Sequence, residues 1–174
     1  MAGGVNAAKK TLKLRYSHTV GIVAMEGRGF SGPADLAISS DGRMYVPNRA
    51  SPDQPYGVRV GVCNVDSEYF GHFGSYGTGD GQFIWPSAVA CDSDDNIYLA
   101  DEHLHRISVF DGSGTFLRKW GEQGAGEGRL NGPAGLCFDP DHNLYVADHL
   151  NSRVQVFSRE GVFQRAWGEP GDGP

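Results

Sequence analysis

Cysteine is scarce in this chain. Cys63, Cys91 and Cys137 are its three thiols in 174 residues, too few for a disulfide framework. Cys91 and Cys137 sit on equivalent strand runs one position out of register, so their side chains are expected on opposite faces. All three read as reduced core or near-core residues. No apolar run resembles a secretory leader or a membrane span, and Ala7-Ala8-Lys9-Lys10 leads straight into strand-like alternation. The cytoplasm is the expected compartment, and no membrane partner is expected. Basic residues are outnumbered: 15 Lys and Arg against 21 Asp and Glu give a net charge of −6. The basic clusters are Lys9-Lys10 with Lys13 and Arg15, and Arg118-Lys119, which fall short of the stripe that nucleic acid needs. No window keeps a helical period, which excludes a bundle.

Glycine is plentiful instead, at 26 residues, and it punctuates a repeat. Pro86, Asn96-Ile97-Tyr98-Leu99-Ala100-Asp101, Arg106-Ile107-Ser108-Val109-Phe110 and Phe116-Leu117-Arg118-Lys119-Trp120 form one series. It returns 47 residues on as Pro133, Asn143-Leu144-Tyr145-Val146-Ala147-Asp148, Arg153-Val154-Gln155-Val156-Phe157 and Phe163-Gln164-Arg165-Ala166-Trp167. A weaker copy precedes both, with Pro33, Arg43-Met44-Tyr45-Val46, Asn48, Val58-Arg59-Val60 and Tyr69-Phe70-Gly71-His72-Phe73. Self-similarity at about 40–50 residues marks stacked units that cannot bury their faces alone. Each unit holds four short runs in which branched and aromatic residues alternate with polar ones, separated by turns such as Asp94-Asp95-Asn96 and Gly112-Ser113-Gly114. Four antiparallel strands per unit predict the blade of a β-propeller.

The pattern Gly-x-Gly-x-(Phe/Leu)-x-x-Pro, Asn-x-Tyr-(Val/Leu)-Ala-Asp, Arg-(Ile/Val)-x-Val-Phe and Trp-Gly resembles the NHL repeat. Gly79, Gly81, Phe83, Pro86, Asn96, Tyr98, Asp101, Arg106, Phe110 and Trp120 carry it in the second copy. Gly126, Gly128, Leu130, Pro133, Asn143, Tyr145, Asp148, Asn151, Arg153, Phe157 and Trp167 carry it in the third. The resemblance covers residues 27–174. It implies an all-β NHL-type propeller, on a frame that hosts scaffolds, RNA binders and lyases alike, so function must be argued from the site.

The predicted organisation is an arm at 1–10, one or two leading strands of an adjoining blade at 11–26 (Leu12, Leu14 and Tyr16 alternating), blade 1 at 27–77, blade 2 at 78–124, blade 3 at 125–168, and a linker at 169–174 toward a repeat that does not follow. Blade 1 departs from the pattern. Asn48 replaces the aspartate, and six extra residues around Ala50–Tyr56, with Pro52 and Pro55, lengthen its second loop. The resemblance implies six blades in a closed ring, so three blades are half a propeller, whether natural or truncated. Open blade faces favour association, and a homodimer closing a six-bladed ring is the expected assembly.

The loops between second and third strands, with the linker prolines, gather polar residues on one face: Glu102, His103, His105 and His149. Three imidazoles and a carboxylate have the chemistry for a divalent metal. The recurrence of Asp101 with Arg106, and Asp148 with Arg153, favours structural pairs that brace the loops, with the histidines exposed and no cofactor. Amidating lyases, which resemble this fold, hold zinc with histidines just after the linker proline. Here those slots are Ala34, Asp35, Ser87, Ala88, Ala134 and Gly135. Asp35 and Ser87 are the polar residues expected to face the central channel. Asp92-x-Asp94-x-Asn96 and Asp139-x-Asp141-x-Asn143 open like a calcium loop but lack its glycine and closing glutamate, so they read as hairpins. The expectation is a non-catalytic binding module offering a propeller face to a small molecule, peptide or protein. The alternative is a lyase or hydrolase whose channel-centred site forms only on ring closure.

Overall fold

The computed structural model describes residues 16–17, 19–20, 29–50, 55–168 and 171. The expected arm, most of the leading segment and all of the tail except Gly171 lie outside them. Tyr16, Ser17, Thr19 and Val20 are described and form no strand. No described helix is long and apolar enough to cross a membrane.

Three four-stranded antiparallel sheets follow one another along the chain. The first holds β1 (Ala37–Ile38), β2 (Met44–Asn48), β3 (Arg59–Cys63) and β4 (Tyr69–Phe73). A short parallel pair, β5 (Ser75–Tyr76) and β6 (Gln82–Phe83), forms the linker. The second sheet holds β7 (Pro86–Cys91), β8 (Ile97–Asp101), β9 (Arg106–Phe110) and β10 (Phe116–Trp120). The third holds β11 (Pro133–Phe138), β12 (Leu144–Asp148), β13 (Arg153–Phe157) and β14 (Phe163–Trp167). Strand order within each sheet is sequential, as in an up-and-down blade, so the all-β propeller expectation holds. Among described residues the chain departs from strand and loop only in two single 3-10 turns, Pro55–Gly57 and His149–Asn151.

The hydrophobic core lies between blades. One cluster joins Tyr45, Val60 and Val62 of the first sheet to Val89, Ile97, Leu99 and Phe110 of the second. The other joins Tyr98, Ile107 and Val109 of the second sheet to Leu144, Val146 and Phe157 of the third. Alternate residues of a strand face opposite neighbours. In blade 2, flanked on both sides, every residue of β8 and β9 is therefore buried. In β12 burial alternates, because one face of blade 3 has no neighbour among the described residues. This corrects one expectation. Cys63 is buried and Cys91 partly so, but Cys137 is exposed; the same slot in blade 2 holds Ala90, which is buried against blade 3.

Each inter-blade junction repeats three devices. A linker side chain plugs the previous blade: Phe83 lies against Gly74, and Leu130 lies 2.9 Å from where a Cβ on Gly121 would stand. A tyrosine hydroxyl of one blade meets a carbonyl at the outer hairpin of the next: Tyr45 donates to Gly112 O at 3.1 Å, and the Tyr98 hydroxyl is shared between Arg159 O at 3.2 Å and Asp92 Oδ2 at 3.1 Å. A glycine of that hairpin then seats on the outer aromatic of the previous blade. A Cβ on Gly114 would stand 2.5 Å from Phe73, and one on Gly161 would stand 2.5 Å from Trp120. Both glycines have positive φ, +87° and +89°, so they answer a conformational and a steric demand together. Phe73 and Trp120 thus serve inter-blade packing, as their matching slots imply.

Candidate ligand-binding cleft

The loops joining second to third strands pair with the residue just before each linker proline. Arg49 N–H donates to Gly32 O, Glu102 N–H to Trp85 O and His149 N–H to Gly132 O. This places Glu102, His103, His105 and His149 on the face that also carries Pro33, Pro86 and Pro133. The slot before the proline is glycine in blades 1 and 3, with φ of +63° and +66° at Gly32 and Gly132. In blade 2 the slot is Trp85, which is 43% exposed.

Trp85 borders a cleft of about 330 Å³ between blades 1 and 2, lined by Arg49, Ala50, Pro55, Val58, Tyr76, Ile84, Trp85 and His103. Its walls are mainly apolar. Tyr76 comes from the parallel linker pair and is 49% exposed. Val58 and Ile84 form the floor. Arg49 lies over the indole, 5.4 Å from the ring centroid. Its Nε donates to Pro86 O at 3.0 Å and its Nη2 meets Glu102 at 3.3 Å. The guanidinium is thus pinned at the wall with its charge matched. A second, shallower depression continues past Trp85 to Glu102, His103, His105 and Leu150.

Of the residues expected to bind, Glu102, His103 and His105 therefore share this surface. His149 lies apart, in a depression at the outer edge of blade 3 with Arg153 and Trp167. His105 accepts the Gly132 N–H on Nδ1 at 3.1 Å, which spends that nitrogen on holding blade 3. No three His, Cys, Asp or Glu residues among those described are grouped closely enough to hold a metal ion. The residues expected in the channel are tied to backbone. Ser87 is buried; its hydroxyl donates to Pro133 O at 2.5 Å and lies 3.2 Å from Ala100 O. Asp35 is exposed and accepts N–H bonds from Leu36 at 2.8 Å and Val89 at 2.9 Å. Both stitch successive blades rather than present a free group.

The loop-bracing pairs differ from each other. Asp148 and Arg153 form an ion pair, Nε to Oδ2 at 2.7 Å. Asp101 and Arg106 face each other across β8 and β9 without a direct ion pair. Asp101 instead accepts backbone N–H bonds from Ile84, Trp85, His103 and Leu104. In blade 3, Asn151 and Gln155 donate to the aspartate as well and hold it toward the arginine; in those slots Leu104 has no side-chain donor, and the shorter Ser108 hydroxyl makes no bond to Asp101. What the two arginines share is the linker. Arg106 donates to the carbonyls of Thr78, Gly79 and Gln82, and Arg153 to those of Ala125, Gly126 and Arg129. Burial pulls the Arg106 guanidinium below its ordinary pKa, partly offset by the charges of Asp101 and Asp80. The glycine-rich linkers are thus held by guanidinium. Asn48 does the aspartate's work in blade 1, accepting Ser31 N–H at 2.8 Å, as Asp101 accepts Ile84 and Asp148 accepts Asn131.

The hairpin reading of the calcium-like segments holds. Asp92 accepts from Asp94 N, Asn96 N and the Asn96 amide. Burial pushes its carboxyl up, but these bonds, with that from Tyr98, bring it below the usual carboxylate value.

The sequence reading missed Trp85, Tyr76 and Arg49. The available signal was the broken slot itself: Gly32, Trp85 and Gly132 align in the repeat, and a bulky aromatic between two glycines has no reason in the repeat's own packing.

Residues 130–157 match the NHL repeat. A stretch of 78 residues, 45% of this chain, is 32% identical to 8% of the protein brain tumor of Drosophila melanogaster. Hydrazine synthase of Kuenenia stuttgartiensis superposes on 93% of this chain and 41% of its own with a TM-score of 0.62 at 17% identity. Virginiamycin B lyase of Staphylococcus aureus superposes on 81% of this chain and 42% of its own with a TM-score of 0.57 at 14% identity. The chain thus spans less than half the length of each. The sequence match places an NHL repeat at residues 130–157, and the superpositions show the β-propeller fold.

Proposed function

We propose that this propeller segment is a binding module that takes a peptide segment of a partner protein in the cleft beside Trp85. One observation carries the reading: an exposed tryptophan stands where the other two copies carry glycine, at the mouth of an apolar cleft. A half-exposed indole with one face under Arg49 and the rest at a cleft mouth is the kind of anchor on which binding energy concentrates. The cleft is at the small end of ligand pockets, which run about 300–1,000 Å³. It suits one or two apolar side chains rather than an extended cofactor. Arg49 and Glu102 neutralise each other at the rim, so the ligand is selected by shape and ring contact. His103 and the carbonyls around Pro86 supply polar edges for a peptide backbone.

The reading is tested by selecting peptides from a displayed random library on the purified chain and measuring the enriched sequences by fluorescence anisotropy. Enriched peptides should carry an aromatic or branched apolar residue. Trp85→Ala should weaken them by about 10-fold or more, in line with loss of about 1.4 kcal/mol or more at a hot spot. Trp167→Ala, far from the cleft, should leave them unchanged. Peptides indifferent to Trp85, or no enrichment at all, would overturn the reading.

A further inference from the structure

The cleft beside Trp85 has few main-chain groups left to offer a ligand. The N–H groups of Arg49 and Ala50 go to Gly32 O and Ser31 O, and that of Val58 goes to Pro55 O. Those of Ile84, Trp85 and His103 all go to the Asp101 carboxylate. Pro55 has none to give. The carbonyls at the rim are engaged as well: Trp85 O accepts Glu102 N–H, and Pro86 O accepts Arg49 Nε. A peptide adding itself as a strand needs a row of unpaired N–H and C=O groups. The strand at the cleft, β5, is two residues long and too short to supply one.

What the cleft does hold is donors on side chains. Among the described residues nothing accepts from the Trp85 indole N–H or the Tyr76 hydroxyl, and both rings are half-exposed at the wall. Arg49 engages Nε and Nη2 and keeps Nη1. Past Trp85, His105 accepts the Gly132 N–H on Nδ1, so its proton sits on Nε2 and it too is a donor. Trp85 and His103 border both depressions, and the second has exposed Leu150 on its wall. The surface therefore matches a ligand that is apolar, rich in acceptors and poor in N–H groups.

We infer that the segment taken up beside Trp85 is proline-rich and enters as a polyproline II helix, its rings against Tyr76 and Trp85 and its carbonyls accepting from the indole N–H and the Tyr76 hydroxyl. The inference rests on the peptide-binding reading above and narrows it to one class of partner. Three properties select that class. Proline brings no N–H, so it turns no donor toward carbonyls that are already engaged. The polyproline II backbone makes no internal hydrogen bonds, so its carbonyls point outward as acceptors. Its conformation is set before binding, so a small site need not order a flexible chain. An amphipathic helix would instead present anchors along two turns or more, beyond the one or two side chains this cleft accommodates. One turn of polyproline II advances three residues, about 9 Å. A segment crossing the indole thus carries the next side chain of the same face toward Leu150 in the second depression.

The experiment is fluorescence anisotropy of the full chain with a labelled peptide of repeated Pro-Pro-Leu, against a control in which alanine replaces each proline. The proline peptide should bind, and the alanine control should bind about 10-fold more weakly or worse. Tyr76→Phe removes only a hydroxyl, and Trp85→Phe keeps an aromatic face without the N–H. Each should weaken the proline peptide by about 3- to 10-fold, the worth of a neutral hydrogen bond, with an unchanged far-ultraviolet spectrum. Equal affinity for the two peptides, or binding of the proline peptide indifferent to both substitutions, would overturn the inference. A random library that enriches Trp85-dependent peptides without proline would overturn it too, while leaving the peptide-binding cleft in place. The absence of any Trp85-dependent peptide would overturn both.

Discussion

Gly161→Ala and Gly42→Ala together measure what the glycine seat contributes to a blade junction. Both glycines have left-handed backbone, with φ of +89° and +83°. Alanine in that region costs about 1–2 kcal/mol at either site. Their surroundings differ. Nothing lies within 4 Å of where a Cβ on Gly42 would stand, whereas at Gly161 three atoms of the Trp120 ring lie 2.5–2.8 Å away. That ring is held by Tyr98 and Phe157, with centroids at 6.0 and 6.1 Å, so it has little room to retreat. Forcing a methyl against a packed core adds about 1–3 kcal/mol. Gly161→Ala should therefore cost about 2–5 kcal/mol and Gly42→Ala about 1–2 kcal/mol. Urea titration followed by tryptophan fluorescence and far-ultraviolet dichroism gives both values by linear extrapolation. Equal losses at the two sites would refute the seat.

Arg106→Ala and Arg153→Ala should destabilise by similar amounts, about 2–4 kcal/mol each, because each removes a guanidinium from three linker carbonyls. A silent Arg106→Ala beside a costly Arg153→Ala would show that the ion pair with Asp148, and not the carbonyl clamp, is what stabilises the linker; the same titration checks it. The thiols should separate by reactivity. Burial, with the charges of Asp95, Asp92 and Asp41, pushes the Cys91 thiol up to about 12, and burial raises Cys63. At pH 8 the dilute folded protein should therefore titrate one fast thiol, Cys137, with the other two appearing on unfolding.

The blades were legible because their signals are local and repeated. Asn-x-Tyr, Arg-(Ile/Val)-x-Val-Phe and the terminal tryptophan each mark a strand by alternation, and each recurs. Side-chain destinations were less legible. Ser87 follows a linker proline and reads as a channel residue, but its hydroxyl reaches Pro133 O of the next blade, a contact no spacing announces. Asp101 and Arg106 stand opposite each other as their spacing requires, and still part company because backbone N–H groups take the carboxylate and neither Leu104 nor the short Ser108 side chain turns it back. The cleft depends on Val58, Tyr76 and Trp85 converging from a loop, a linker and a pre-proline slot, so no single stretch of sequence contains it.

The tyrosine hydroxyls grip main-chain carbonyls, at Gly112 and Arg159. A carbonyl is present whatever residue bears it, so the identity at that hairpin position is neutral to the grip: glycine and arginine serve equally, and valine stands there in blade 1. Two residues further along, the glycine seat tolerates no side chain at all. At the two internal junctions a carbonyl that any residue can supply thus lies two residues from a position that admits glycine alone. The main-chain grip leaves the residue at its carbonyl free to vary, while a change at the seat alters which blades can be neighbours.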